Sequence, residues 1–206
     1  MGLANGRAPV RLASAVLVFL SSASAPVASD RSDAAPINAH PLNVPVTVII
    51  EFGDQYLGSE LYNAKITVLE IVRGEKAWDI IQQTNASNRP PPPDSEYLLA
   101  RVRFEFSARA SPAHYSYNLG ETQFTAMAPD GREFAAPDLD ARPKPDLSGT
   151  LRPGDSRQGW LAFLVPRKLS KPIMVFREDV GVVSHTGGGT WFQLYGRPAF
   201  NGQPNP

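Results

Sequence analysis

The sequence predicts an all-β protein, an antiparallel sandwich of about eight or nine strands with one short helix. The first observation is composition, because 20 prolines and only 19% charged residues favour short strands and stiff connections over long helices. The second is an alternation of apolar and other residues with a period of two, which recurs along the chain and indicates strands. The third is regular spacing of turn signals such as Pro-Asp-Gly at residues 129–131.

The N-terminal residues predict an export signal. Arg7 and Arg11 form a basic region, residues 12–20 an apolar stretch, and residues 21–25 a zone of small side chains. The apolar stretch is about half as long as a helix that crosses a bilayer, so we expect no stable membrane span. Three cleavage sites remain open, after Ala23, Ala25 or Ser29. The signal predicts a protein that is secreted or extracytoplasmic, in the cell envelope.

We divide the chain into a signal peptide, a linker, one domain and a tail. A single domain is expected because 206 residues with 42% hydrophobic content suit one ordinary core. The sequence contains no cysteine, which excludes disulfides, thiolate metal sites and a lipid-modified N-terminal cysteine. The predicted bounds are residues 1–29 for the signal, 30–43 for the linker, 44–196 for the sandwich domain and 197–206 for the flexible tail.

Three stretches in the first half of the domain predict strands. Apolar side chains alternate along residues 44–52, and the same character returns along residues 64–72. The clearest alternation runs along residues 97–106, where Leu, Ala, Val, Phe and Phe occupy every second position. Each of these stretches has one strongly apolar face and therefore belongs to a sheet that covers a core.

A short helix and a proline run lie between the second and third of these strands. Residues 77–81 carry apolar side chains at helical spacing, and a helix of two turns persists only if Trp78 and Ile81 are buried. Residues 90–93 are four consecutive prolines, which favour a stiff polyproline II spacer. We interpret the segment as a crossover whose helix plugs one open edge or end of the sandwich before the chain returns into a central strand.

The second half of the domain continues the pattern of short strands. Residues 160–165 are apolar on both faces, which predicts a central position in a sheet. Phe134 is expected to lead a return strand after the Pro-Asp-Gly turn. The other strands predicted in the second half of the domain are residues 123–128, 160–165, 173–176 and 190–195.

Several short motifs occur in an order that resembles a known family. They are Ala77-Trp78, Glu96-Tyr97 and the stretch from Pro153-Gly154 to Gly159-Trp160. Over roughly residues 54–195 the chain resembles a telokin-like, immunoglobulin-fold family of exported bacterial proteins, distantly similar to the mycobacterial immunoprotective extracellular antigen. The resemblance implies an immunoglobulin-like antiparallel sandwich, secretion or surface display, and no established catalytic site. Many relatives look lipid-anchored through a cysteine that this chain lacks, so we expect free export.

The conspicuous aromatic residues have a structural and a functional interpretation. Trp78 and Trp160 fit a core better than a ligand surface, because large aromatics in a cysteine-free sandwich usually fill its interior. Tyr97 is expected to pack its ring and to hydrogen-bond its hydroxyl. The prolines at residues 90–93 fit a stiff loop better than a ligand for an aromatic groove.

No stretch of the sequence predicts a reaction. The histidines, His40, His114 and His185, are far apart, and neighbouring Ser184 and His185 would point to opposite faces of an extended chain. The acidic run containing Asp138, Asp140 and Asp146 lacks the glycine and closing glutamate of a calcium loop. We therefore predict no enzyme activity, no catalytic residue, no cofactor and no metal site.

These observations leave two main hypotheses for function. The first is an exported, non-catalytic β-sandwich module that mediates protein or cell-envelope interaction. The alternative is an envelope metal-binding or hydrolytic protein that uses His114, His185 and nearby aspartates. Nucleic acid is not an expected partner, because 20 basic residues balance 20 acidic ones and no basic run occurs. The identity of the partner and the oligomeric state stay open.

Overall fold

The computed structural model of the chain describes residues 38–54, 58–178, 183–184 and 189–196, and it is an antiparallel β-sandwich with one α-helix. The prediction of an all-β fold is confirmed. The predicted signal peptide and tail lie outside the described residues. The elements are β1 (Val46–Asp54), β2 (Gly58–Arg73), α1 (Glu75–Thr84), β3 (Ser95–Ala108), β4 (Tyr117–Leu119), a 3-10 turn (Glu121–Gln123), β5 (Phe124–Met127), β6 (Gly149–Leu151), β7 (Ser156–Pro166), β8 (Ile173–Phe176), β9 (Val183–Ser184) and β10 (Thr190–Gln193).

The strands form two layers. One layer is a five-stranded sheet in the order β7-β3-β2-β1-β9. The other layer contains a three-stranded sheet, β10-β8-β5, and the two-stranded pair β4-β6. Side chains from both layers belong to one buried cluster, so the main core lies between them. No described helix is long and apolar enough to cross a membrane.

Aromatic rings fill the middle of the main core. The rings of Tyr62 and Phe106 are stacked with their centroids 5.0 Å apart, and those of Phe104 and Tyr117 are stacked at 5.4 Å. Phe176 from the opposite layer contacts Phe104 edge-on at 5.9 Å. These contacts join the long strands of one layer to short strands of the other, because period-two alternation turns each ring inward.

A second, smaller core lies on the outer face of the five-stranded sheet. Ala77 and Ile81 of α1 are fully buried there against Tyr97 and Leu99, which alternate with the inward-facing residues of β3. The helix contacts β2 and β3, which are interior strands, so it covers a sheet face and does not plug an open edge. Trp78 belongs to the same cluster.

Trp78 and Trp160 differ from the prediction in one respect. Both pack against the smaller core, but both remain half-buried and neither reaches the interior between the layers. Tyr97 behaves as predicted, because its ring is buried and its hydroxyl donates to the carbonyl oxygen of Arg89 at 2.9 Å.

The prediction that residues 160–165 form a central strand is wrong. They belong to β7, which is the edge of the five-stranded sheet, whereas β3 is interior. The strand is apolar on both faces because the main core covers its inner face and the helical cluster covers Trp160, Ala162 and Leu164 on its outer face. Two-sided burial thus arises from a helix above the sheet and does not require strands on both sides.

The structure also differs from the prediction at residues 38–43, which we assigned to the linker. His40 pairs with Phe192 of β10, donating its backbone N–H to the carbonyl oxygen of Trp191 at 2.8 Å. Leu42 is buried in the main core. Backbone pairing fixes this segment without any side-chain periodicity, so the sequence pattern gave no sign of it.

The predicted return strand at Phe134 is reduced to a single bridge between Met127 and Glu133. The backbone N–H of Phe134 still donates to the carbonyl oxygen of Ala126 at 2.9 Å. The Pro-Asp-Gly turn therefore reverses the chain as expected, but the chain does not continue as a strand.

Candidate functional site

One exposed loop at the end of the sandwich is fixed by side chains of the neighbouring strand. We call residues 109–116, which follow β3, the histidine loop. All of its residues are exposed except Tyr115, which is half-buried. Pairing between β2 and β3 ends at Tyr62 and Ala108, so β2 extends beyond β3 at the place where the loop departs.

Four hydrogen bonds hold the loop to β2. The backbone N–H of Arg109 donates to the carbonyl oxygen of Leu61 at 3.0 Å. The backbone N–H of His114 donates to Oε2 of Glu60 at 3.0 Å, and its ring Nδ1 lies 2.5 Å from Oε1 of the same carboxylate. The backbone N–H of Tyr115 donates to the hydroxyl oxygen of Tyr62 at 3.0 Å. Consecutive residues of one strand therefore fix both ends of the loop.

The two tyrosines connect the loop to the main core. The ring of Tyr115 stacks on that of Phe52 in β1, with centroids 5.3 Å apart and planes 8° from parallel. The ring of Tyr62 is fully buried and stacked on Phe106, while its hydroxyl donates to Oε2 of Glu60. The position of the loop thus depends on rigid core packing as well as on surface hydrogen bonds.

The carboxylate of Glu60 is the electrostatic centre of these contacts. Hydrogen bonds from the Tyr62 hydroxyl, and then from the His114 ring and backbone, lower the pKa of Glu60 from 4.5 to about 2. An ionised carboxylate can only accept, so Nδ1 of His114 must carry the proton that lies between them. Burial, followed by the hydrogen bond to Glu60, raises the pKa of Tyr62 above 10.0, so its hydroxyl stays a donor.

The lowered pKa of Glu60 predicts a pH dependence of stability. Because the folded-state pKa is below the unfolded value, ionised Glu60 stabilises the fold fully above about pH 4.5 and loses this effect as the pH falls towards 2. The free energy of unfolding of the wild type minus that of Glu60→Gln should therefore shrink between about pH 5 and pH 2. A difference that stays constant over this range would contradict the assignment.

The Tyr62 hydroxyl predicts a local effect on the loop. Tyr62→Phe keeps the buried ring but removes both the donor to Glu60 and the acceptor for the Tyr115 N–H. We expect amide hydrogen exchange at Tyr115 to become roughly fivefold faster, since losing one such bond is worth about 1 kcal/mol. Exchange at Val102 in the centre of β3 serves as the control. Unchanged exchange at Tyr115 would show that the hydroxyl does not hold the loop.

Two clefts flank the histidine loop and share Glu60. The larger, which we call the Arg109 cleft, has a volume of about 370 Å³ and is lined by Ser59, Glu60, Leu61, Tyr62, Arg109, Ala110 and Pro112. The smaller has a volume of about 260 Å³ and is lined by Gly58, Glu60, His114 and Tyr115. The loop therefore presents main-chain and side-chain groups on both of its sides.

The structure places the candidate residues of the alternative hypothesis in separate regions. His114 contacts Glu60 near the start of β2, whereas Asp138 lies close enough to Tyr97, near the start of β3, to act on its pKa. Asp146 pairs with Lys144, and its backbone adjoins Trp160. Asp140 is exposed in the same 137–147 region.

His185 lies outside the described residues. His40 pairs through its backbone with β10. Among residues 38–54, 58–178, 183–184 and 189–196, no three His, Asp or Glu side chains are grouped so that they could hold a metal ion.

The sequence analysis did not identify Glu60 and Tyr62, whose side chains make three of the four hydrogen bonds between β2 and the histidine loop. A signal was present, because residues two apart on a strand share a face, and Glu60 and Tyr62 stand at that spacing. Their partner His114 is 54 residues further along the chain, so only the folded chain shows the contact.

The fold and the loop together define a class of protein: an antiparallel β-sandwich that presents a fixed, exposed loop at one end. A family model described as a domain of unknown function, DUF4352, matches residues 60–184, and the chain belongs to that family. The matched region begins at Glu60 and includes the whole histidine loop. A comparison with curated proteins found no match.

One solved structure is similar in part. It is the crystal structure of a "putative lipoprotein (ycdA)" from Bacillus subtilis subsp. subtilis str. 168, with 13% sequence identity and a TM-score of 0.45. The similarity covers 63% of this chain but only 35% of that chain. This chain therefore spans little more than a third of the length of that protein.

Proposed function

We propose that this chain is an exported, non-catalytic interaction module of the cell envelope, which binds a partner through the histidine loop. The observation that carries the proposal is the combination of exposure and restraint in that loop. Seven of its eight residues, all but Tyr115, are exposed, and four hydrogen bonds tie it to residues 60–62.

A restrained loop is suited to binding for a thermodynamic reason. Ordering a flexible loop on association costs conformational entropy, and a loop that is already ordered avoids that cost. Binding residues are also disproportionately found on loops that a rigid scaffold positions. The buried aromatic pair of Tyr62 and Phe106 provides such a scaffold directly beneath the histidine loop.

Two features of the sequence support the cellular setting of this proposal. The N-terminal basic and apolar residues have the pattern of an export signal. The resemblance to telokin-like, immunoglobulin-fold proteins of bacteria implies secretion or surface display without an established catalytic site. A sandwich with a binding loop at one end fits a protein that meets its partner outside the cytoplasm.

The proposal is tested by blocking the loop without disturbing its supports. Ala113→Arg adds a long side chain at an exposed position, and Ala86→Arg makes the same change at an exposed position in the loop that follows α1. The wild type and Ala86→Arg should sediment with the envelope fraction of the cell that makes the protein. Ala113→Arg should bind roughly 30-fold less well, the loss expected when one hot-spot contact of about 2 kcal/mol is blocked. Equal sedimentation of all three, or none by the wild type, would refute the proposal.

A second function, hydrolysis, is favoured by one observation. The Glu60 carboxylate orients the His114 ring through Nδ1, which leaves Nε2 as a base in the neutral imidazole. Such a pair would activate water at the smaller cleft. If hydrolysis is the function, the chain should turn over activated esters such as p-nitrophenyl acetate, and His114→Ala should abolish the turnover. Turnover that survives this substitution would exclude His114 as the base.

A further inference from the structure

We propose that the Arg109 cleft binds an extended acidic segment of a partner protein, which adds to the free end of β2 as a short strand. This inference rests on the function proposed above and names the chemistry of its ligand. Three properties of the cleft carry it: an unpaired stretch of strand backbone, an apolar lining and one arginine that forms no ion pair among the described residues.

The backbone of β2 offers pairing groups to the cleft. The Arg109 N–H donates to the Leu61 carbonyl oxygen, so Leu61 directs its backbone groups towards the β3 side of the strand. In an antiparallel sheet every second residue faces the same neighbour, and Ser59 therefore directs its N–H and C=O to that side as well. Among the described residues, the pairing of β2 with β3 stops at Tyr62 and does not reach Ser59. The Arg109 cleft lies beside Ser59, where a continuation of β3 would otherwise pair with it.

The lining is mainly apolar. Leu61 is 38% exposed, and it is one of two large apolar side chains exposed to that extent among the described residues. Ala110 and Pro112 of the histidine loop also line the cleft and are exposed as well. An added strand would cover these three side chains, and burial of apolar surface is the main favourable term in such association.

The guanidinium of Arg109 favours an acidic ligand. Glu60 is the only carboxylate among the lining residues, and its two oxygens already accept hydrogen bonds from the Tyr62 hydroxyl and from His114. The guanidinium of Arg109 is exposed, and among the described residues it has no carboxylate partner. A guanidinium binds a carboxylate through paired donors, so an acidic side chain is its natural partner.

Strand geometry places that acidic side chain. Leu61 stands opposite Arg109, one step beyond the pair of Tyr62 and Ala108, and accepts its backbone N–H, so the two side chains lie on one face of the sheet. A peptide residue opposite Ser59 continues the line of β3 and projects its side chain to the same face, beside Arg109. Addition of a peptide strand to a free sheet edge is a recurring mode of recognition, in which backbone bonds give affinity and side chains give specificity.

Two labelled peptides test the proposal with the full chain. One is a fluorescein-labelled, amidated heptapeptide of alternating valine and glutamate, and the other has lysine in place of glutamate. We expect fluorescence polarisation to show binding of the glutamate peptide at least tenfold tighter than of the lysine peptide. Arg109→Glu should reverse this preference. Arg89→Glu, which makes the same charge change in the loop after α1, should preserve it.

A second measurement separates strand addition from simple charge attraction. Binding of the glutamate peptide should slow amide hydrogen exchange at Ser59, because its N–H gains a backbone acceptor. Binding that leaves Ser59 exchange unchanged would overturn the strand geometry. Failure of both peptides to bind, or equal binding of both, would overturn the proposal. So would an Arg109-dependent dimer in light scattering or Arg109-dependent binding to anionic lipid vesicles.

The outcomes are distinguishable from those of the envelope experiment. If the wild type sediments with the envelope, Ala113→Arg does not, and the peptides fail, then the histidine loop is an interaction site with a different ligand. If the wild type does not sediment with the envelope but binds the glutamate peptide through Arg109, the cleft is a peptide site and its proposed cellular setting is wrong.

Discussion

Phe106→Ala is expected to lower the free energy of unfolding by about 3–5 kcal/mol, the cost of removing a fully buried phenylalanine from a core. Its ring stacks on Tyr62 at 5.0 Å and contacts Phe52 edge-on and Tyr117 at a tilt. Alanine would leave a cavity among three rings that belong to different strands, so neighbouring side chains cannot close it without shifting the sheet. Chemical denaturation followed by tryptophan fluorescence measures the loss.

Phe134→Ala is the matched control for this substitution. Phe134 is the same residue type but is only half-buried at the margin of the same core. Its loss should cost clearly less, since the cost follows the area removed from water and the cavity that remains. Equal destabilisation by the two substitutions would contradict the aromatic core as described, and so would a small effect of Phe106→Ala.

Asn88→Ala is expected to destabilise the protein by about 2–3 kcal/mol, because several buried backbone groups lose their partner. The Asn88 amide nitrogen donates to the carbonyl oxygens of Ile81 and Ala141, both at 2.9 Å, and its Oδ1 accepts from the Ala141 N–H at 3.2 Å. This side chain thus joins the end of α1 to the loop containing Leu139, which packs on the helix.

Asn85→Ala provides the comparison in the same loop. The Asn85 side chain accepts only the N–H of Ser87 at an exposed position, so its loss should cost a fraction of the Asn88 effect. Denaturant titrations of both variants give the two values. Similar values for the two substitutions would mean that the buried amide bridge contributes little to stability.

The strands were predictable where alternation alone determines them. The inward series along β3 was visible in the sequence, because one apolar face implies one buried side. The strand at residues 173–176 was visible as a short run of apolar residues, all four of which are buried. The edge position of β7 was not, because burial of both faces has the same pattern whether strands or a helix provide the cover. Residues 38–43 were missed because they show no alternation of apolar and polar side chains, although His40 pairs with β10 and Leu42 is buried in the main core.

The candidate site was predictable only in part. His114 was singled out for its chemistry, but its partner is Glu60 and not the aspartates, since strand order brings together residues that are 54 apart. Asn88 lies in the loop after α1, and the sequence cannot show that an amide in such a loop is buried against another loop. Long-range side-chain contacts of this kind have no local periodicity, so patterns of spacing do not reveal them.

The proposed function depends most on the histidine loop being exposed and yet ordered. Backbone ¹⁵N relaxation of the wild type tests this directly, because order parameters report motion faster than overall tumbling. Residues 109–116 should have order parameters of about 0.85, equal to those of β2 and β3. Values below about 0.6 in the loop, with rigid strands on either side, would contradict the claim that Glu60 and Tyr62 fix it.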